Sequence, residues 1–500
     1  MNFSEVIKEN ATRKYTENGA RAYNTTGDKL LDLFSTVGSL RTRSVEEIRE
    51  KYRLAFNEDQ LLATKLLFYT GNIRGGLGER RTFRICLKWL AQEHPEIAVK
   101  NIPLVAAFNR WDSLFELIGT DVENAMWAYI AETFANDISN LTVAKVTRTA
   151  PHISLLAKWL PSENASSKKT RKLAKTVINK LRLSPKQYRQ ILSALRAQLK
   201  VVEKSMSAQE WDQIVYSGVP SYAMKNYRNA FERHDSERFK EFIGAVKKGE
   251  KKINASTLFP YDLIHQYTSR SGWDFNIANY DEVLEQQWKA LPNYVDEDTE
   301  VLVMADTSGS MFYGDTRPME TSVGLAIYFA QRNKGMYHNT FMTFSSTPAY
   351  YSIDEGASLR DCIRKVSRGP WTGSTNLTGA MRKILQDAIN NSVAPEDMPK
   401  ALVVISDMEI DAAQCWGSDK WDYADALAEE FERADYTMPK LIFWNVNSRN
   451  DTFLTKNKNT LLVSGQSPST FRSVLKSINK TAYEAMLEVL NDPMYDCVRV

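Results

Sequence analysis

Cysteine is scarce in this chain. Four occur in 500 residues (Cys86, Cys362, Cys415 and Cys497), and no two stand in a CxxC spacing. The five histidines (His94, His152, His234, His265 and His338) are equally scattered. Neither a zinc site nor a disulfide framework is expected. Thiols buried in a reducing cytosol are the better reading. Long apolar runs are absent too, so no membrane-spanning helix and no membrane partner are expected. The amino terminus, MNFSEVIKENATRKY, carries acidic residues where a signal peptide needs an apolar stretch. A cytoplasmic protein is the resulting expectation. A net charge of only +3 leaves the class of partner open.

Five hundred residues exceed one compact core and predict two or three domains. Apolar residues at 43% and charged residues at 25% are ordinary for a globular protein. The charge is unevenly spread: residues 1–300 hold 44 Lys and Arg against 37 Asp and Glu, residues 301–500 hold 20 against 24. Within 151–200 twelve basic residues face one acid, Glu163. An anionic partner would be steered there.

Up to about residue 297 the pattern is helical. Leu30, Leu31, Leu33 and Phe34 open an apolar face. Ser44 with Glu47 and Ser207 with Glu210 read as capping boxes, and Ser184 with Pro185 and Gln187 as a helix start. Leu61–Phe68 and Phe83–Leu90 read as two helices joined by GNIRGGLGERR. Helices without strands predict stacked helical pairs, an α-helical repeat of HEAT-like type, although no fixed period is visible.

An acidic linker, Asp296–Glu300, separates this part from an α/β part over 298–500. Strands are predicted at Val301–Ala305, Phe341–Phe344, Ala401–Ser406, Leu441–Val446 and Leu461–Val463. Helices are predicted at Val323–Arg332, Leu377–Ile389, Tyr423–Arg433 and Phe471–Leu490. This alternation predicts a parallel, doubly wound, Rossmann-like sheet with ligands at the carboxyl ends of its strands.

One motif falls at that edge. Asp306-Thr307-Ser308-Gly309-Ser310 follows the first strand, Thr375 lies just ahead of a helix, and Asp407 ends ALVVIS. Asp306, Ser308, Ser310, Thr375 and Asp407 offer two carboxylates and three hydroxyls, a set suited to Mg²⁺ or Mn²⁺. This DxSxS-Thr-Asp arrangement resembles the metal-ion-dependent adhesion site of von Willebrand factor A domains. The resemblance implies that the serines ligate directly, and the aspartates and Thr375 directly or through water. It also implies a coordination position open to an acidic side chain from a protein partner. An A domain whose site is empty, or serves only stability, is the alternative. Trp371 is read as rim or packing, and Glu409 and Asp411, near Trp416 and Trp421, as second shell or surface.

A helical array followed by an A domain resembles the TROVE module of the Ro autoantigen proteins. The phrases RGGLGERR (Arg74–Arg81), NRWDSLFEL (Asn109–Leu117), VPSYAMKNY (Val219–Tyr227), LFPYDL (Leu258–Leu263) and VNSRN (Val446–Asn450) are closer still to a family of unknown function with phage-like members. That likeness covers essentially the whole chain. The Ro resemblance implies a helical ring closed by the A domain, and binding of small structured or single-stranded RNA.

The residues offer two places for RNA. Lys168, Lys169, Arg171, Lys172, Lys175, Arg182, Lys186 and Arg189 form a basic stretch with Tyr188 as its lone aromatic. It is read either as a phosphate-binding stripe or as a solvated helix face. Arg74, Arg80 and Arg81 lie in a glycine-rich loop, read either as a phosphate cradle or as a connector whose arginines pair with Glu79 and other acids. The loop lacks the GK[ST] ending of a Walker motif. Arg110 and Asp112 read as a structural pair with Trp111 in the core. No nucleophile elbow or serine–histidine arrangement is present, so no enzyme is expected. A non-enzymatic RNA-binding protein is the leading expectation; a metal-dependent protein adaptor or a viral scaffold is the alternative.

Overall fold

A computed structural model describes residues 2–199, 201–271, 274–295, 299–312, 316–369, 371, 373–412 and 420–500. Cys415, Trp416 and residues 296–298 of the acidic linker lie outside the described residues.

Local chemistry explains most helix starts. Ser44 and Glu47 cap each other's backbone at the head of Val45–Glu58, and Ser184 and Gln187 do the same for Pro185–Gln198, with Pro185 in the first turn. The expected cap at Ser207 is not one. Ser207 lies inside the helix Val202–Ala208 and its hydroxyl bonds the Glu203 carbonyl at 2.7 Å. That helix ends at Gln209 in left-handed backbone (φ 59°), so these residues close a helix instead of opening one. The helix Gln60–Gly71 is mostly apolar with no distinct polar face and is buried from Ala63 onward, its Lys65 bonding Asn491 at 3.2 Å. It packs between Val45–Glu58 and Arg80–Glu93, and Ser221–His234 packs on Ser236–Lys247. Two antiparallel hairpins interrupt the helices, Arg13–Tyr15 with Arg21–Tyr23 and Thr268–Ser271 with Asp274–Ile277. Neither was expected.

The carboxy-terminal half is built on one six-stranded mixed sheet. Its strands are β1 (Val301–Asp306), β2 (Thr340–Phe344), β3 (Ala349–Ser352), β4 (Ala401–Ser406), β5 (Lys440–Asn445) and β6 (Leu461–Ser464). Their order is 6-5-4-1-2-3, all parallel except β3, which runs antiparallel to β2 at the edge. Val301, Val303 and Ala305 of β1 join one core cluster, Leu302 and Met304 another, so both faces are covered. The helix expected over 471–490 is two, Thr470–Lys476 and Ala482–Leu490. Thr481 and Glu484 form a capping box that restarts the chain.

The halves share one core, running from Leu30 through Val303 to Val498. Both ends of the helical half sit on the sheet half. Gly38 donates to Ser464 Oγ at 3.0 Å, Asn72 to Tyr495 Oη at 3.1 Å, and Asn101 to the Arg499 carbonyl at 2.6 Å. At the other end Trp288 donates to Gln331 at 2.7 Å, and Glu285 accepts from the amide of Leu359 at 2.8 Å. The two ends also meet each other: a Cβ on Gly78 would lie 3.0 Å from the Phe259 ring. The bonds named here to the sheet half come from residues before 110 and after 259. No described helix is long and apolar enough to cross a membrane.

A Cβ on Gly38 would lie 2.7 Å from backbone atoms of Gly465. Gly38→Ala is therefore expected to cost about 1–3 kcal/mol by overpacking, read as a lowered midpoint in thermal or urea unfolding. Wild-type stability in the variant would contradict the backbone contact.

Candidate metal centre

Strands β1 and β4 pair from Val301–Ala401 to Ala305–Ile405 and end side by side. Strand order reverses at this pair, which opens a crevice beyond their carboxyl ends. Asp306 closes β1 and Asp407 follows β4, both fully buried. Asp306 accepts from Ser406 Oγ at 2.5 Å and from the Ser308 amide at 2.8 Å. The hydroxyls of Ser308 and Ser310 are 3.2 Å apart, and Ser310 also bonds Asp407. Thr375 is held by its backbone: its carbonyl accepts from the Asp411 amide at 3.1 Å. Gly309 donates to the Gly373 carbonyl at 3.1 Å, which ties the DxSxS turn to the same loop. Gly373 adopts left-handed backbone (φ 80°) in that tie.

Burial and the neighbouring Asp407 push the Asp306 carboxyl up to about 7. Burial likewise raises Asp407, against the pull of Arg449, whose Nη2 lies 3.1 Å from Asp407 Oδ2. Two buried, mutually repelling carboxylates flanked by hydroxyls fit a hard divalent cation in donor type and charge. Among the described residues no three His, Cys, Asp or Glu side chains form a metal cluster. The candidate set draws three of its five donors from hydroxyls.

Arg449, Glu17 and Ser406 belong to the site and were not singled out. Glu409, left open between second shell and surface, is buried. It accepts from the Glu17 amide at 2.7 Å and Asn450 Nδ2 at 3.1 Å, so it anchors the amino-terminal turn over the site's flank. Asp411 contributes through its backbone. Trp371 is part-buried, 6.2 Å from the Phe312 ring. Trp421 packs against the amino-terminal hairpin, 5.4 Å from Tyr15 and under the Arg13 guanidinium at 4.7 Å.

The RNA candidates divide. Lys168, Lys169, Lys172 and Lys175 are exposed along the helix Lys168–Lys180, with Arg182 and Lys186 exposed beyond it. Among the described residues none of these six has an acidic partner within 4.0 Å. Arg171 instead bonds the Ala165 and Ser166 carbonyls at 2.8 and 2.6 Å, and Arg189 pairs with Glu163 at 2.5 Å. Tyr188 is buried and bonds the Pro161 carbonyl. Arg74 lies in the glycine loop, while Arg80 and Arg81, expected there, open the helix Arg80–Glu93; all three are exposed, and Glu79 pairs with Arg41, not with them. Arg110 pairs with Asp112 at 2.9 Å and lies 3.7 Å over the Trp159 ring, while Trp111 is only part-buried and stacks on Tyr129.

Residues 16–112 and 107–300 match the family described as a domain of unknown function (DUF2828). The chain belongs to that family. Residues 300–493 match a second domain of unknown function (DUF7788), so the two matches meet where the sheet half begins. The DUF2828 chain is 28% identical to an uncharacterized protein, L728, of Acanthamoeba polyphaga mimivirus, over 96% of this chain and 87% of that one. It is also similar to the crystal structure of the Ro (RSR) protein of Deinococcus radiodurans: 15% identity, TM-score 0.47, 91% of this chain and all of that one.

The raised Asp306 carboxyl gives a sign for pH dependence. A folded-state value above the unfolded 3.8 adds stability below 3.8 that is lost as pH rises toward about 7. In chelator, Asp306→Asn is expected to gain melting temperature relative to the wild type as pH rises across that window. An unchanged pH profile in the variant would contradict the buried, repelled carboxylate.

Proposed function

We propose that this protein binds structured or single-stranded RNA through the basic ridge of its helical half. In this reading the sheet half is a von Willebrand factor A-type unit that holds Mg²⁺ or Mn²⁺ and fastens the two ends of the helical array.

The observation that carries the RNA reading is the set of six exposed cations, Lys168, Lys169, Lys172, Lys175, Arg182 and Lys186, none with an acidic partner within 4.0 Å among the described residues. A solvated helix face normally interleaves both signs; this stretch of 168–189 contains no acid. Such a ridge neutralises phosphates without reading bases, and with Tyr188 buried it provides no stacking platform. Shape and backbone therefore dominate recognition. The exposed Arg74, Arg80 and Arg81 supply guanidinium forks suited to a further stretch of phosphate.

The metal reading rests on the donors at the ends of β1 and β4. Asp306, Ser308, Ser310, Thr375 and Asp407 would hold the ion, which would offset the repulsion between the two buried carboxylates. With few direct carboxylates the ion would stay electrophilic enough to accept an acidic group from a protein partner. The fastening role is supported by bonds to Ser464, Tyr495, Gln331 and Leu359 from opposite ends of the array.

Fluorescence anisotropy on labelled single-stranded and hairpin RNAs tests the first part. If all six cations engage phosphates, log affinity against log salt should slope at about −4 for a single strand. Changing the six to Glu is expected to abolish binding while leaving thermal unfolding unchanged. Undiminished binding by the variant, or none by the wild type at low salt, would sink the RNA reading.

A further inference from the structure

We propose that Arg449 is a resident counter-cation of the candidate metal centre, competing with a divalent ion for Asp407. Glu17, in the amino-terminal turn, sets how strongly it competes. The inference rests on the metal-binding reading of Asp306 and Asp407.

Arg449 follows β5 at the same sheet edge as Asp407 and stands between two acids. Its Nη2 lies 3.1 Å from Asp407 Oδ2, and its Nη1 lies 3.1 Å from Glu17 Oε2. The two acids are unlike. The Asp407 side chain is wholly buried, whereas that of Glu17 is 46% exposed and its other oxygen accepts from Asn450 Nδ2 at 2.7 Å. Glu17 is fixed in place through its amide, bonded to the buried Glu409.

A guanidinium that belonged to Asp407 alone would present two parallel N–H groups to it. Arg449 makes one contact to each acid, and its buried Nε finds no acceptor among the described residues. It thus has a second anionic seat already built. A divalent ion on Asp407 places positive charge beside this guanidinium in a site that screens poorly. The repulsion is relieved when Arg449 shifts its weight to Glu17. Ion affinity is then lowered by whatever holds Arg449 on Asp407, and restored in part by whatever draws it to Glu17.

The full-length protein is titrated with MnCl₂, free ion being read from its electron paramagnetic resonance signal. Arg449→Ala is expected to tighten Mn²⁺ binding by about tenfold, the scale of one partly buried ion pair. Arg449→Gln should act in the same direction and serves if the alanine variant misfolds. Glu17→Gln should weaken binding severalfold in the wild type and have no effect in the Arg449→Ala background, because Glu17 acts through Arg449. Unchanged or weaker binding in both Arg449 variants would overturn the competition and make Arg449 a positioning residue. A Glu17 effect that persists without Arg449 would overturn the relay. Absence of Mn²⁺ binding in wild type and variants alike would bring down the metal reading itself, and this inference with it.

Discussion

Gly38 meets Gly465 so closely that a Cβ would lie 2.7 Å from its backbone, and there two backbones from opposite ends of the chain lie in contact. Everything around it depends on their meeting. The first helices seat on β5 and β6, and the last residues return to pack on those helices, with Tyr495 stacked on Phe108 at 5.4 Å. The central helix Gln60–Gly71 has no polar face to offer water, so it needs cover from both halves. Neither half therefore completes its core alone. The sheet unit is not appended to the helical array; it is the surface on which the array closes.

The same closure makes the candidate centre a buried one. Two carboxylates at adjacent strand ends would be costly to ionise in this environment. The surroundings offset part of that cost with Ser308, Ser310 and Ser406 hydroxyls and a single guanidinium. A third carboxylate, Glu409, is turned aside to hold the Glu17 amide. The amino-terminal turn is consequently bonded to the flank of the candidate site, whose proposed donors stand far along the chain from it.

Parallel strands buried on both faces leave near-continuous apolar runs, which is why β1, β4, β5 and β6 could be read from sequence within a residue or two. The edge strand Ala349–Ser352 was missed because only Tyr351 is buried in it, and four residues with one apolar anchor carry little signal. The cap at Ser207 failed because a serine and a glutamate three apart also occur at helix ends. Asp306, Ser308 and Ser310 were visible as candidates because a single turn carries all three. Arg449 and Glu17 were not, since their roles come from pairing across 42 and 432 positions, which no local pattern encodes. VNSRN stood out only as a phrase carrying the family likeness, which assigns Arg449 no role.

Charge separates the two proposed activities in space as well as in sequence. The ridge of Lys168–Lys186 lies in the stretch between the two sets of residues bonded to the sheet half. From the ridge back to the sheet, contact runs through Arg110 over Trp159, through Asp112 shared by Arg110 and Arg84, and through the helix Arg80–Glu93 to Gly76, whose carbonyl accepts from Ser469 at 3.0 Å. These are packed, paired groups. Coupling between distant sites needs an element with two arrangements. The proposed two-seat element, Arg449 between Asp407 and Glu17, faces the candidate metal centre and the amino-terminal turn, not the ridge. Beyond a Debye length of about 8 Å at physiological salt, direct electrostatic influence fades as well. RNA affinity should therefore be nearly indifferent to the divalent ion except where the ion alters the RNA's own fold.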